Sequence, residues 1–258
     1  MRFFLVASMM LLSFLEKSEG GSLRKNFYKK SCPQAEEIVK NITLQHVSSR
    51  PELPAKLLRL HFHDCFVRFN NVRKWEVLTG RRDGTVSKSL EALINIPAPF
   101  HNISTLRQIF SSKNLTLHDL VVLSGAHTIG VGHCNLFSNR LFNFTGKGDQ
   151  DPTLDSTYAK LLKTKCQGLG DTTTTVEMDP NSSTDFNNDY YPILLRKKGL
   201  FTSDATLLTT KQSRNIVKEL VSQNKFFTEF AQSMKRMGAI GVLSGSDGEI
   251  RRKCSIVN

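Results

Sequence analysis

Apolar side chains in this 258-residue chain recur at helical spacings almost from end to end, whereas runs that are β-branched and alternate in polarity are scarce. Such a pattern confines the fold to helices that bury one stripe each against other helices, an all-α architecture. Helices are predicted to open at Ser31-Cys-Pro33, with the proline near the first turn, and at Ala55 after Pro51 and Pro54. Further starts are predicted at Thr116, where an acid follows at Asp119, and at Asp155. Phe226, Phe227, Phe230, Met234 and Met237 form one apolar stripe, read as core, with Gly238 as its C-cap. A hydrophobic content of 39% is enough for one or two ordinary cores.

The N-terminus has a different character. Arg2, the apolar run Phe3 to Leu15 and the small residues Ser18, Gly20, Gly21 and Ser22 are expected to form a secretory signal, residues 1–21, ahead of a domain at 22–258. That run is too short to span a bilayer and no later one is long enough, so no transmembrane segment is expected. Sequons at Asn41, Asn102, Asn114, Asn143 and Asn181 add to the case for a secreted glycoprotein, extracellular or vacuolar. The net charge of +12 is dispersed, with no arginine-rich tract. It suits a polyanionic extracellular matrix and argues against nucleic acid as a partner. Five cysteines (Cys32, Cys65, Cys134, Cys166 and Cys254) leave at least one thiol free or paired with another molecule.

Two clusters carry chemistry. In Arg59-Leu-His61-Phe-His63-Asp64-Cys65, a helix puts Arg59 and His63 on one face and turns His61 elsewhere. A permanent cation beside a group that titrates near neutrality can move a proton and stabilise developing negative charge, although a salt-bridged surface would look the same. A rival reading takes His61, His63 and Asp64 as metal ligands of a hydrolase, but His-x-His suits a strand better than a helix. In Gly125-Ala-His127-Thr128-Ile-Gly130, small neighbours leave room for something bulky beside His127, or for a core histidine bonded to a carbonyl.

Leu58-Arg-Leu-His-Phe-His-Asp-Cys-Phe-Val67 closely resembles the distal motif of class III secretory plant haem peroxidases, and Leu123-Ser-Gly-Ala-His-Thr-Ile-Gly130 is similar to their proximal motif. Asn26 to Glu36, Gly80 to Gly84, Tyr190-Tyr191, Lys198 to Asp204 and Gly248 to Arg251 match the same family in order. The resemblance implies the haem peroxidase fold, with distal and proximal helical parts around one haem b, and oxidation of phenolic donors by hydrogen peroxide in one-electron steps. It implies His127 as the axial ligand of the haem iron and Asp204 as acceptor from its other nitrogen. His63 would take a proton from hydrogen peroxide and return it to the leaving oxygen, and Arg59 would stabilise the charge that builds as the O–O bond breaks. Pro97 matches a proline beside the substrate entrance, although a simple turn would also use one there. Thr128, Asp179 and Ser182 match ligands of a proximal calcium, with Asn187 where an aspartate is usual, and Asp64 matches the first ligand of a distal calcium. Helix or turn capping is the plainer role for Asp179 and Ser182. The implied disulfide is Cys134–Cys166, and the implied state is a monomer.

The match breaks at Arg68 to Lys74, where seven residues replace a stretch of two helices, so roughly 60 residues of a domain of this class are missing. The loss removes the implied partners of Cys32, Cys65 and Cys254, the other distal calcium ligands and the asparagine that would accept from His63. It is also expected to leave apolar neighbours uncovered. Clean motifs on both sides favour exons dropped in splicing or in the gene model over a decayed paralogue. The alternatives to an active enzyme are a catalytically impaired haem-binding remnant and a non-enzymatic cationic extracellular glycoprotein.

Overall fold

The computed structural model describes residues 23–67 and 78–258. The expected signal at 1–21 and the junction at 68–74 lie outside the described residues. In chain order the helices are α1 (Ala35–Ser49), α2 (Leu53–Val67), α3 (Ser89–Asn95), α4 (Ile103–Ser112), α5 (Leu117–Ser124), α6 (Asn139–Phe142), α7 (Ser156–Lys165), α8 (Tyr190–Leu195), α9 (Thr202–Ala205), α10 (Lys211–Glu219) and α11 (Gln223–Met237). Among the described residues the one sheet is a short antiparallel pair, β1 (Val131–His133) with β2 (Thr175–Glu177), in which Gly132 faces Val176. The all-α class read from the sequence holds.

Helix boundaries follow local chemistry. Thr116 accepts the N–H of Asp119 at 3.1 Å, and the Asp119 carboxylate accepts the N–H of Thr116 at 2.9 Å, a closed capping box for α5. Asp155 caps α7 by accepting the N–H of Tyr158 at 2.8 Å. Helix α1 begins at Ala35, just after Pro33 and Gln34. Helix α2 begins at Leu53, two residues before the expected Ala55, because Pro54 then falls in the first turn, where its missing N–H costs nothing.

Two apolar cores form. The larger gathers Cys65 and Phe66 of α2, Leu106 and Phe110 of α4, the apolar residues of α5, and Phe226, Phe230, Met234 and Met237 of α11. Full burial of each such side chain is worth about 1.5–3 kcal/mol. The stripe on α11 is core as expected, except that Phe227 is turned 39% to solvent. The smaller core joins Phe137, Leu141, Tyr158, Leu162, Met178, Leu200 and Phe201, and the Cys134–Cys166 disulfide crosses it. Cys32, Cys65 and Cys254 are free thiols, Cys65 buried and the other two exposed.

Apolar side chains lie uncovered on two helices. None of the fifteen residues of α1 is buried, and Ile38, Val39, Ile42 and Leu44 lie exposed along it. On α3, Leu90, Leu93 and Ile94 are exposed too.

Candidate active site

His127 lies in a 3-10 turn, Gly125–Thr128, that continues directly from α5. The turn is tight because Gly125 has no side chain: a Cβ there would come within 2.5 Å of the Tyr191 hydroxyl and 2.6 Å of the Phe226 ring. His127 therefore projects from the buried end of a rigid helix. Its ring stands edge-on to Tyr190 of the larger core (centroids 6.0 Å apart) and to Phe201 of the smaller one (5.4 Å). The histidine occupies the seam between the two cores.

Its Nδ1 lies 2.7 Å from Oδ1 of Asp204, a carboxylate only 2% exposed. Burial alone would raise the carboxyl pKa, but the neighbouring imidazole, the Phe201 N–H and the Tyr190 hydroxyl together hold it below the ordinary range. Asp204 is thus an anion that accepts from Nδ1–H, which fixes the tautomer and leaves Nε2 as a lone-pair donor. Among the described residues no group bonds Nε2, and the side chain is 36% exposed. An imidazole with its inner nitrogen tied to a carboxylate and its outer one bonded to no described group fits a ligand of a haem iron.

The loop before Asp204 is held as firmly. Arg140, 1% exposed, pairs with Asp151 at 2.7 Å and donates to the carbonyls of Gly199, Leu200 and Phe201 at 2.7, 2.8 and 3.1 Å. Gly199 has no room for a side chain, since a Cβ would meet Asp204 Cβ at 2.8 Å. Periodicity did not signal Arg140, because a buried cation in a polar-looking segment carries no periodic mark. Tyr190 was visible only as part of a matching dipeptide.

Next to His127, the hydroxyl of Thr128 lies 3.1 Å from Asp179 Oδ2 and 2.9 Å from Asn187 Oδ1. Asn187 Nδ2 donates to Ser182 Oγ at 2.7 Å, and its Oδ1 accepts the N–H of Asp189 at 2.8 Å, which fixes the orientation of the amide. All four residues of the expected proximal calcium set therefore converge. The single hydroxyl proton of Thr128 faces two acceptors, and Asp179 Oδ1 is buried without a partner. Burial pushes the Asp179 carboxyl up to about 6. An excess of buried acceptors fits a hard cation, with one carboxylate where a stronger site would hold two.

On α2, Arg59 and His63 share a face, and Arg59 Nε is 3.5 Å from His63 Nε2. Desolvation and the Arg59 charge lower the His63 pKa, so the imidazole is neutral near pH 7 and able to accept a proton. No group among the described residues bonds His63 Nδ1. His61 faces the other way: it is buried, with Nε2 3.6 Å from Cys65 Sγ. The hydrolase triad of His61, His63 and Asp64 therefore does not converge on one point. Asp64 is half-buried, and burial raises its carboxyl pKa to about 6. No metal-sized group of three or more His, Cys, Asp or Glu side chains forms among the described residues. Pro97 lies in the loop from α3 to α4, and two residues on the carbonyl of Pro99 accepts the N–H of Ser203 at 2.9 Å, next to Asp204.

A largely helical fold with a carboxylate-held histidine at its seam and an Arg–His pair on a second helix defines a haem peroxidase. A family model described as Peroxidase matches residues 67–223. The chain is 43% identical to Peroxidase 39 of Arabidopsis thaliana over 302 aligned positions, covering 92% of this chain and 93% of that one. It is 42% identical to Peroxidase 3 (92% of each chain) and 41% identical to Peroxidase 56 (96% and 94%), both of Arabidopsis thaliana. The chain belongs to the peroxidase family, among the class III plant haem peroxidases. In the first of these alignments 92% of 258 residues spread over 302 positions, so roughly 65 positions face a gap in this chain, close to the length of the expected deletion.

Proposed function

We propose that the protein is a secreted, extracellular or vacuolar peroxidase that oxidises phenolic donors with hydrogen peroxide. One peroxide and two donors AH2 would give two waters and two AH radicals, one electron leaving each donor. The observation that carries this reading is the 2.7 Å contact between His127 Nδ1 and buried Asp204, which leaves Nε2 free for iron. Haem, when bound, supplies the redox-active iron. His127 would hold the metal through Nε2, and Asp204 would make the imidazole a stronger donor. His63 accepts the proton from one peroxide oxygen and delivers it to the other as water departs, so no net proton is consumed at the residue. Arg59 stabilises the negative charge on the departing oxygen. Thr128, Asp179, Ser182 and Asn187 would hold a calcium ion that keeps the turn after His127 in place. Asp64 would contribute at most a residual distal site, and Pro97 would border the donor entrance. The disulfide, the sequons and the basic charge suit a monomer facing a polyanionic matrix. Residues 1–21 would be its signal and 22–258 its peroxidase domain.

In the test, the chain is reconstituted with haem, and the Soret band and guaiacol turnover are recorded. Haem uptake abolished by His127→Ala and turnover cut by His63→Ala are expected. No haem uptake overturns the enzyme reading. Uptake with negligible turnover unaffected by His63→Ala points instead to a haem-binding remnant.

A further inference from the structure

Oδ1 of Asp204 does not serve His127 alone. The hydroxyl of Tyr190 donates to the same oxygen at 2.9 Å, while the Phe201 N–H takes Oδ2 at 2.9 Å. Tyr190 is 2% exposed, and burial with the adjacent carboxylate raises its pKa well above that of a free phenol, so the group stays a donor at any working pH. Two hydrogen bonds on one carboxylate oxygen share its charge, and each is weaker than it would be alone. The Tyr190 ring also stands edge-on to the imidazole, opposing rotation of the ring about its Cβ bond. The backbone ties this tyrosine to the rest of the proximal site: it is the first residue of α8, and the N–H of its neighbour Asp189 is held by Asn187, which binds Thr128 next to His127.

We propose that Tyr190 is a positioning residue of the proximal site, its hydroxyl competing with His127 for Asp204 Oδ1 and so limiting how strongly the imidazole donates to iron. The proposal rests on the reading of His127 as axial ligand. Without the hydroxyl, Asp204 would pull harder on the Nδ1 proton, the imidazole would gain anionic character, and ferric iron would be favoured.

The test uses the haem-reconstituted full chain, with the Fe–His stretching band of the ferrous protein and the Fe(III)/Fe(II) midpoint potential as readouts. In Tyr190→Phe the band is expected to move to higher frequency and the potential to a lower value. Tyr191→Phe is the control for loss of a buried hydroxyl, since that group faces the carbonyls of Val121 and Val122 rather than Asp204, and it should move neither readout. Because a Phe variant could unfold, 3-fluorotyrosine placed at position 190 serves as a second probe. It is a stronger donor in the same ring and should shift both readouts the opposite way. Asp204→Asn is run alongside and should lower the band frequency. If Asp204→Asn shifts the band but neither change at position 190 does, or if Tyr191→Phe matches Tyr190→Phe, the Tyr190 proposal is overturned alone. If Asp204→Asn leaves the band unmoved, the axial-ligand reading falls and takes the proposal with it.

Discussion

At the scale of single residues, environment separates histidines that the sequence writes almost identically. His61 and His63 are two positions apart, yet one is sealed against Cys65 and the other shares a half-open face with Arg59. Burial and the nearby Arg81 hold the His61 pKa down to about 4, against 6.5 when unperturbed. Between those values the unfolded chain binds a proton at this site that the folded chain does not, so stability falls as pH drops from about 6.5 toward 4. Down to pH 4.5 the contribution is roughly 3 kcal/mol, since one pKa unit corresponds to about 1.4 kcal/mol and about two pH units separate the unperturbed value from that pH. Urea melts at pH 7.5 and 4.5 should show the difference between the two pH values shrink by about that amount in His61→Leu. An unchanged difference would mean that the buried ring does not set the acid limb. Arg59 and His63 were legible because i, i+4 spacing on a helix fixes a shared face regardless of context. Tyr190 was not, because its hydroxyl meets Asp204 only through tertiary packing.

At the scale of elements, the helices that aim the site are fixed at their ends. Thr116 closes the capping box of α5, and its partner Asp119 also receives Arg236 Nε of α11 at 2.7 Å, so one cap joins two helices. Thr116→Ala should cost about 1–2 kcal/mol in chemical denaturation. A loss under a few tenths would show that the box is redundant. The turn that follows α5 is braced by the Thr128–Asp179–Ser182–Asn187 cluster, whose only carboxylate in direct contact is Asp179. Asn187→Asp adds the second charge and should tighten calcium by about an order of magnitude in calorimetric titration. Equal affinity in the two proteins would indicate that the cluster is a hydrogen-bonded brace rather than a cation site. The cap at Thr116 was readable as a local pattern. Convergence of residues 128, 179, 182 and 187 was implied only by family resemblance, because spacings of this length have no local signature.

At the scale of the whole molecule, the protein combines a densely bonded half around His127 with a half around α1 and α3 that leaves apolar side chains exposed. The buried Arg140–Asp151 pair, the disulfide and the smaller core lie on the His127 side, while the larger core also takes in Cys65 and Phe66 of α2. Helix α1 has no buried residue, and α3 exposes Leu93 at 80%. Apolar surface of this kind makes a chain bind hydrophobic dyes and associate. Anilinonaphthalene sulfonate fluorescence should therefore be strong in the native protein and fall severalfold in a combined Ile38→Lys, Ile42→Lys, Leu93→Lys variant with unchanged helical circular dichroism. Dye binding that persists in that variant would locate the exposed surface elsewhere.

The sequence by itself determined the helical class, the caps, the facing of Arg59 and His63 and, through ordered motifs, the family. Each of these depends on short-range periodicity or on contiguous side chains, which a linear reading preserves. Only the tertiary structure decided that His127 stands at the seam of two cores, that Asp204 divides one oxygen between an imidazole and a phenol, and that Arg140 pins the loop behind it. Those contacts join residues 14 to 77 positions apart, and they form because the helices between them have an apolar stripe to bury and one way to bury it.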